Sequence, residues 1–263
     1  MNISKDFSRF LQDGFSFQYD YQDGGQPPHT GLQNVTISVC EIGNLIVTSG
    51  KLIASDPLSE PDLQYSFTKT ISPGHYPVIL SVADFQPRND ARIAYAMLRI
   101  SRETAVKWEV AIVNDQYPQE DKGEVYGYGV DSGTGCFMDW NAAQALYILA
   151  NPDPVAYEAA RQDNPTQAWN RPLATLDLSL AALEKFNREF CDKVIAEMEN
   201  NALNVNRAAN WANVLLNDIT EANVIAFSSG WGDGGYSSYW GYDEKGNLAA
   251  LVTDFVLFNI GKS

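Results

Sequence analysis

The sequence predicts an α+β protein with a largely antiparallel β body and a helical insertion. Three observations predict this class: alternating apolar and polar runs before residue 114, apolar residues at three- and four-residue spacing in the middle, and short β-type runs near the end. These changes in pattern predict four parts. They are an N-terminal helix and loop (1–33), a β-rich part (34–140), a helical insertion (141–220) and a β-rich part that completes the same domain (221–263).

The N-terminal half is predicted to hold one short helix followed by strands. The helix is expected over 4–11, and Val35, Ile37 and Val39 alternate with polar residues in a first strand. Gly43-Asn44 has the composition of a two-residue hairpin turn. Further strands are expected over 45–47, 51–55, 76–82, 92–100 and 106–113, the last two forming a hairpin closed by 101–105.

The middle of the chain is predicted to be helical before strands return. Asp139 is placed as the N-cap of a helix over 141–149, and Asp153-Pro154 opens another that runs through Gln162. A helix is also predicted over 208–216. The longest helical pattern consists of Leu176, Leu180, Leu183, Phe190, Val194 and Met198. The final strands are expected over 224–227, 237–242 and 248–258, with a turn over 243–247.

Two segments concentrate glycine, aspartate and large aromatic residues. We name residues 126–139 the first Gly/Asp segment and residues 228–243 the second Gly/Asp segment. Glycine allows tight turns and close backbone approach, while aromatics and acids supply stacking faces and hydrogen-bond acceptors. These segments are therefore where we expect the functional site.

The charge balance narrows the classes of partner. The chain has 263 residues, with 33 acids against 18 bases and a formal net charge of -15. No Lys or Arg occurs over 123–160 or over 208–244. Such a chain repels nucleic acid and anionic lipid and favours a basic protein partner or a small polar ligand. No phosphate-cradling loop is present, and no cofactor is expected.

The chain shows no targeting or metal-binding pattern. It has no apolar run of membrane-spanning length and no signal peptide, so a cytoplasmic location is expected. Cys40, Cys136 and Cys191 are widely spaced, which indicates reduced thiols, and Cys136 is expected to be buried and inert. With only two histidines, a zinc site is not expected.

Two segments of the chain are similar to each other, and this similarity, which we call the echo, suggests that a β unit is duplicated. Residues 47–56 and 130–139 share Val, Ser, Gly and a closing Asp at equivalent positions. Pro73-Gly74-His75-Tyr76 follows the first of these segments, and Asp233-Gly234-Gly235-Tyr236 follows the second. The hypothesis is a duplicated β unit whose second copy is interrupted by the helices.

The aspartates Asp131, Asp139 and Asp233 are the candidate catalytic residues. Asp131-Ser132-Gly133-Thr134 is similar to the aspartic-protease signature, but that chemistry needs two facing carboxylates, and the echo supplies Thr48 instead of a second Asp. Asp56 and Asp139 are expected to cap backbone N–H groups, and Asp233 is expected in a turn. Asp131 is either a turn acceptor or a ligand-binding carboxylate. Convergence of the three candidates would instead create an acid–base pair or a Ca²⁺ or Mg²⁺ site.

The candidate binding residues lie in the same two segments. The aromatic members are suited to stacking on a flat ligand, although core packing is expected for at least half of them. The candidate ligand- or partner-binding residues are Asp131, Ser132, Thr134, Trp231, Asp233, Tyr236, Tyr239 and Trp240.

Several motifs together carry a family resemblance: Ser55-Asp56-Pro57-Leu58, residues 73–78, 108–111, 128–139, 223–234, Trp240-Gly241 and Thr253-Asp254-Phe255. These motifs resemble those of a bacterial family known as domain of unknown function 4241. They span roughly residues 45 to 258. Position 55, where the resemblance implies Cys before Asp-Pro, is Ser, which argues against a catalytic thiol there. The family carries no established activity, so the resemblance concerns the fold unit.

From these patterns we expect a cytoplasmic, non-enzymatic binding protein. One concrete form is an acidic immunity or antitoxin-type protein that neutralises a basic toxin. The first alternative is a hydrolase or divalent-metal-dependent enzyme that uses Asp131 with Asp139 or Asp233. The second is a carbohydrate-binding module, which requires exposed ring faces at Trp231, Tyr239 and Trp240.

Overall fold

The structure is a computed structural model that describes most of the chain. The described residues are 11–15, 19–23, 33–59, 66–86, 90–113, 127–150, 180–202, 209–216 and 222–258. The predicted helix over 153–162, and all but the last residue of the one over 4–11, lie outside them. Of the helices in these ranges, none is long and apolar enough to cross a membrane.

Strands dominate the described residues. The first seven are β1 (Tyr19–Asp23), β2 (Gln33–Val47), β3 (Lys51–Ser55), β4 (Ser66–Thr70), β5 (Gly74–Gln86), β6 (Asp90–Arg99) and β7 (Lys107–Val110). There follow β8 (Tyr128–Val130), β9 (Thr134–Asp139), α1 (Trp140–Ala150) and α2 (Leu180–Asn200). The last elements are β10 (Trp211–Leu215), β11 (Asn223–Ser228), β12 (Gly234–Tyr242) and β13 (Leu248–Asp254).

These strands form two antiparallel sheets. The large sheet has the order β1-β2-β5-β6-β13-β12-β7, and β8 also pairs with β12. The small sheet has the order β10-β11-β9-β3-β4. The predicted α+β class with a largely antiparallel β body is confirmed.

Successive side chains along the strands point to opposite faces of the sheets, and the buried ones form three apolar layers. Between the sheets, Phe137, Phe227 and Trp240 belong to one buried cluster. The other face of the small sheet, including Cys136, packs against α1 and α2. The other face of the large sheet packs against the N-terminal turn around Leu11 and the C-terminal residues that follow β13. Because successive strand residues point to opposite faces, both faces of each sheet are covered.

Four sequence-based predictions are wrong in detail. Gly43-Asn44 is not a turn, because β2 continues through it with a register shift between Glu41 and Gly43. A helix is predicted over 208–216, but this range contains strand β10, which pairs with β11. The predicted hairpin is also absent, because β6 pairs with β5 and β13, and β7 pairs with β12. The last strand ends at Asp254, short of the predicted end at residue 258. In the first three cases, pairing with distant strands overrides the local preference.

The sheets show an internal two-fold relationship that supports the duplication hypothesis. In the large sheet, β2, β5 and β6 on one side correspond to β8, β12 and β13 on the other. The order β2-β5-β6 therefore continues across the sheet in reverse, as β13-β12-β8. Val47 pairs with Gly74, and their counterparts Val130 and Gly234 also pair. At the centre of the small sheet, β3 lies beside β9, its own counterpart. The two echoing segments therefore occupy equivalent positions, with α1, α2 and β10 inserted in the second copy.

Candidate functional site

The two Gly/Asp segments lie side by side. The first forms β8, a turn at residues 131–133 and β9, while the second forms a turn at residues 229–233 and β12. β8 pairs with β12, and the Ser229 N–H donates to the Gly133 carbonyl at 3.0 Å. We call these two turns the paired turns. Their backbones meet although about one hundred residues separate them, so the sheets bring the segments together.

Asp56 fixes the first of the paired turns. This residue is only 4% exposed. One carboxylate oxygen accepts the backbone N–H groups of Asp131 at 3.0 Å and Ser132 at 2.7 Å. The other oxygen accepts the Ser132 hydroxyl at 2.8 Å and the Leu58 N–H at 2.9 Å. A buried carboxylate with this many donors is a structural acceptor that determines the shape of the turn.

Asp139 plays the equivalent part in the other copy. It is 1% exposed and accepts hydrogen bonds from the Thr48 hydroxyl at 2.8 Å and from the Ser49 N–H and hydroxyl at 3.0 and 2.7 Å. It also accepts the Asn141 N–H at 3.0 Å, so the predicted N-cap is confirmed. The aspartate of each copy thus holds the Ser-Gly turn of the other copy.

The candidate catalytic aspartates do not share one environment. Asp139 is buried and saturated with hydrogen-bond donors, whereas Asp131 and Asp233 are exposed at the paired turns. Thr48 occupies the position equivalent to Asp131 in the first copy, so the duplication supplies no facing pair of the aspartic-protease type. The described ranges hold no group of three or more His, Cys, Asp or Glu side chains arranged to bind a metal ion.

The remaining polar candidates have clear positions. The Ser132 side chain is exposed, yet its hydroxyl donates to Asp56. Thr134 is buried and pairs with Ser228 across the small sheet. Within the described residues, the Asp131 carboxylate makes no hydrogen bond, and this leaves it available to a partner.

Most of the candidate aromatics build the fold around the paired turns. Trp240 is completely buried and packs edge-on against Phe67 at 5.6 Å between ring centroids. Tyr239 is buried on the outer face of the large sheet. The hydroxyl of buried Tyr236 donates to the Gly232 carbonyl at 2.7 Å and bridges the turn. The exposed ring faces required by a carbohydrate-binding module are therefore absent at Tyr239 and Trp240.

Trp231 is half-buried and lies beside a cation that the sequence analysis missed. The Arg92 guanidinium stands 5.0 Å from the Trp231 ring centroid and forms an ion pair with Asp90 at 2.8 Å. Phe85 packs near the same ring at 5.5 Å between centroids. The Gly/Asp segments contain no basic residue, so β6 supplies this cation to the edge of the site.

An open cavity of about 300 Å³ lies next to the paired turns. Its lining includes Trp231, Asp233, Tyr239, Asp254 and Val256. Val256 is the one non-glycine residue with positive φ, at 51°, in the ranges that the structure describes. The Asp254 carboxylate accepts its N–H at 2.8 Å and holds this conformation, which is unfavourable for a β-branched residue. The sequence analysis missed both residues as site components, although Asp254 lies in the closing Thr-Asp-Phe motif.

Cys136 is predicted to resist alkylation in the folded protein. It is completely buried, and burial raises the pKa of its thiol to about 12. At about pH 8, roughly one side chain in ten thousand is then the reactive thiolate. We expect iodoacetamide, followed by peptide mass spectrometry, to label the partly exposed Cys40 and Cys191 first and Cys136 only after addition of urea. Equal labelling of all three thiols in the native protein would contradict this expectation.

Fold and site together define a class: an internally duplicated, antiparallel β protein with a turn-based surface site and helices covering its small sheet. The family model described as Protein of unknown function (DUF4241) matches residues 45–253. Because the match covers most of the chain, the protein belongs to this family. The comparisons with curated proteins and with solved structures return no match.

Proposed function

We propose that this protein is a non-enzymatic binding protein of the cytoplasm whose paired turns contact a basic protein partner. One concrete form is an immunity or antitoxin-type protein that neutralises a basic toxin. The observation that carries the proposal is a division of roles among the aspartates. Asp56 is buried and shapes the first of the paired turns, and buried Asp139 holds the equivalent turn at Ser49 in the other copy. Asp131 and Asp233 are exposed on the paired turns.

The electrostatics of the chain support this proposal. The net charge is -15, and the Gly/Asp segments contain no Lys or Arg that would neutralise the exposed carboxylates. A field of one sign steers an oppositely charged partner and raises the association rate. A small polar ligand in the adjacent cavity is the alternative occupant, and the carboxylates of Asp233 and Asp254 favour one that carries positive charge.

The backbone geometry also supports a preorganised contact surface. Asp56 binds the N–H groups of Asp131 and Ser132, and the Ser229 N–H ties the second turn to Gly133. A surface held in place before binding loses little conformational entropy when the partner arrives. Asp56 therefore contributes to binding indirectly, by holding the first of the paired turns rigid.

The proposal predicts a site-specific loss of binding in the D131N/D233N double variant. Basic proteins encoded by neighbouring genes would be titrated against the purified protein by calorimetry. We expect at least one of them to bind the unaltered protein, and the double variant to bind about tenfold more weakly. Both side chains are exposed, so thermal stability should be unchanged.

A charge-matched control separates the site from the overall charge. Glu103 and Glu244 are exposed outside the paired turns, and the E103Q/E244Q double variant removes the same charge. This control should bind within about twofold of the unaltered protein, because long-range charge effects are screened by salt. Equal losses in the two double variants, or the absence of binding by any neighbouring gene product, would overturn the proposal.

A further inference from the structure

A second cavity, of about 330 Å³, lies on the outer face of the large sheet, away from the paired turns. Its apolar wall includes Leu11 and Phe15 from the N-terminal turn, Met97 from β6 and Ala249 and Ala250 from β13. The size is at the lower end of the range for small-molecule sites, so the ligand would be small. An apolar wall of this kind contacts a hydrocarbon or ring group favourably.

The charges at this cavity are opposite to those of the chain as a whole. Arg99 and Arg102 line it together with a single acid, Glu103. Arg102 is exposed, and no residue in the described part of the chain pairs with its guanidinium. Arg99 pairs with Glu41 at 3.1 Å, but both side chains are substantially exposed, so the pair holds it weakly. Two guanidinium groups thus remain accessible to an anion beside an apolar wall.

The rest of the polar lining adds donors and no further acid. Ser101 and Thr104 contribute hydroxyl groups, and Gln12 contributes an amide. Trp108 forms part of the wall and is only 4% exposed. Donors grouped around two guanidinium groups suit an acceptor-rich group such as a carboxylate.

We propose that this cavity binds a small amphipathic carboxylate, with its carboxylate against Arg99 and Arg102 and its apolar tail between the N-terminal turn and the sheet. The site is independent of the paired turns, which lie toward the other end of β13, where Asp254 lines the first cavity. Recognition depends on charge at the mouth and on apolar contact inside. A ligand with only one of these features should bind poorly.

Three probes of equal chain length test the proposal: octanoate, 1-octanol and octylamine, titrated into the full chain by calorimetry. We expect octanoate to bind, and the neutral and cationic probes to bind at least tenfold more weakly, because a charge-assisted bond is lost or replaced by repulsion. Binding by octylamine equal to that by octanoate, or the absence of heat with octanoate at millimolar concentration, would overturn the proposal.

Charge variants around the mouth provide the second test. R102Q should weaken octanoate binding about tenfold, while E103Q should tighten it by removing a repulsive charge. R188Q on the exposed surface of α2 is the matched control and should leave the affinity unchanged. All three side chains are exposed, so loss of folding is not expected to mask the result. Equal affinity in R102Q and R188Q would refute the assigned role of the arginines.

Discussion

Replacing either buried aspartate with asparagine is expected to lower the free energy of unfolding by about 3 kcal/mol, because charge-assisted bonds are lost and buried donors are left without an acceptor. Each carboxylate oxygen of Asp56 accepts two backbone N–H groups, so the amide group of D56N would face two donors that cannot rotate away at either position. Each oxygen of Asp139 accepts one backbone N–H and one hydroxyl, and a hydroxyl can reorient. D56N should therefore be the more destabilised variant.

Urea denaturation followed by circular dichroism measures this effect. D131N is the matched control, since it makes the same chemical change at an exposed carboxylate in the turn that Asp56 holds. We expect D131N to change the free energy of unfolding by less than about 0.5 kcal/mol. If D56N and D139N were as stable as D131N, the buried hydrogen bonds would not be holding the turns.

The second large effect is expected from alanine at Gly50, and it should exceed the effect at the equivalent Gly133. Both glycines have left-handed backbone angles, with φ of 80° and 72°. A Cβ at Gly50 would stand 2.4 Å from the Ile71 carbonyl oxygen, whereas at Gly133 the nearest atom is Gly232 Cα at 3.6 Å. G133A therefore suffers backbone strain of about 1 kcal/mol, while G50A adds a clash with rigid backbone and should lose about 3 kcal/mol.

Thermal and urea unfolding of the two glycine variants provide the comparison. Each variant is the control for the other, because the residue change and the backbone conformation are the same. Equal destabilisation would show that backbone strain alone determines the cost. A difference of about 2 kcal/mol would show that the close approach of Gly50 to Ile71 is specific to the first copy.

The strand pattern and the echo made much of the fold predictable. Val35 and Ile37 alternate with exposed residues, and this period of two is visible in the sequence. The helical spacing that includes Phe190, Val194 and Met198 predicted α2, where all three residues are buried. Asp139 at the end of an apolar run predicted the N-cap, because capping depends on residues close in the chain.

The local pattern failed where distant strands decided the structure. Trp211 to Leu215 has residues compatible with either a helix or a strand, and pairing with β11 selects the strand. Gly43-Asn44 has turn composition, yet β5 pairs with β2 from Asn34 to Val47, on both sides of a register shift, and keeps it a strand. Turn and helix preferences amount to about 1 kcal/mol, which several ladder hydrogen bonds and side-chain contacts outweigh.

By itself, the sequence determined the α+β class and the segments in which the candidate site lies, because these depend on periodicity, composition and short-range capping. It also raised the duplication hypothesis, which the order of the strands supports. Only the tertiary structure decided that Asp56 and Asp139 hold the turns of the opposite copies, that Trp240 belongs to the core, and that Asp131 and Asp233 remain exposed. The physical reason is that burial and hydrogen bonding of these side chains depend on residues far away in the chain, which meet only when the two sheets pack.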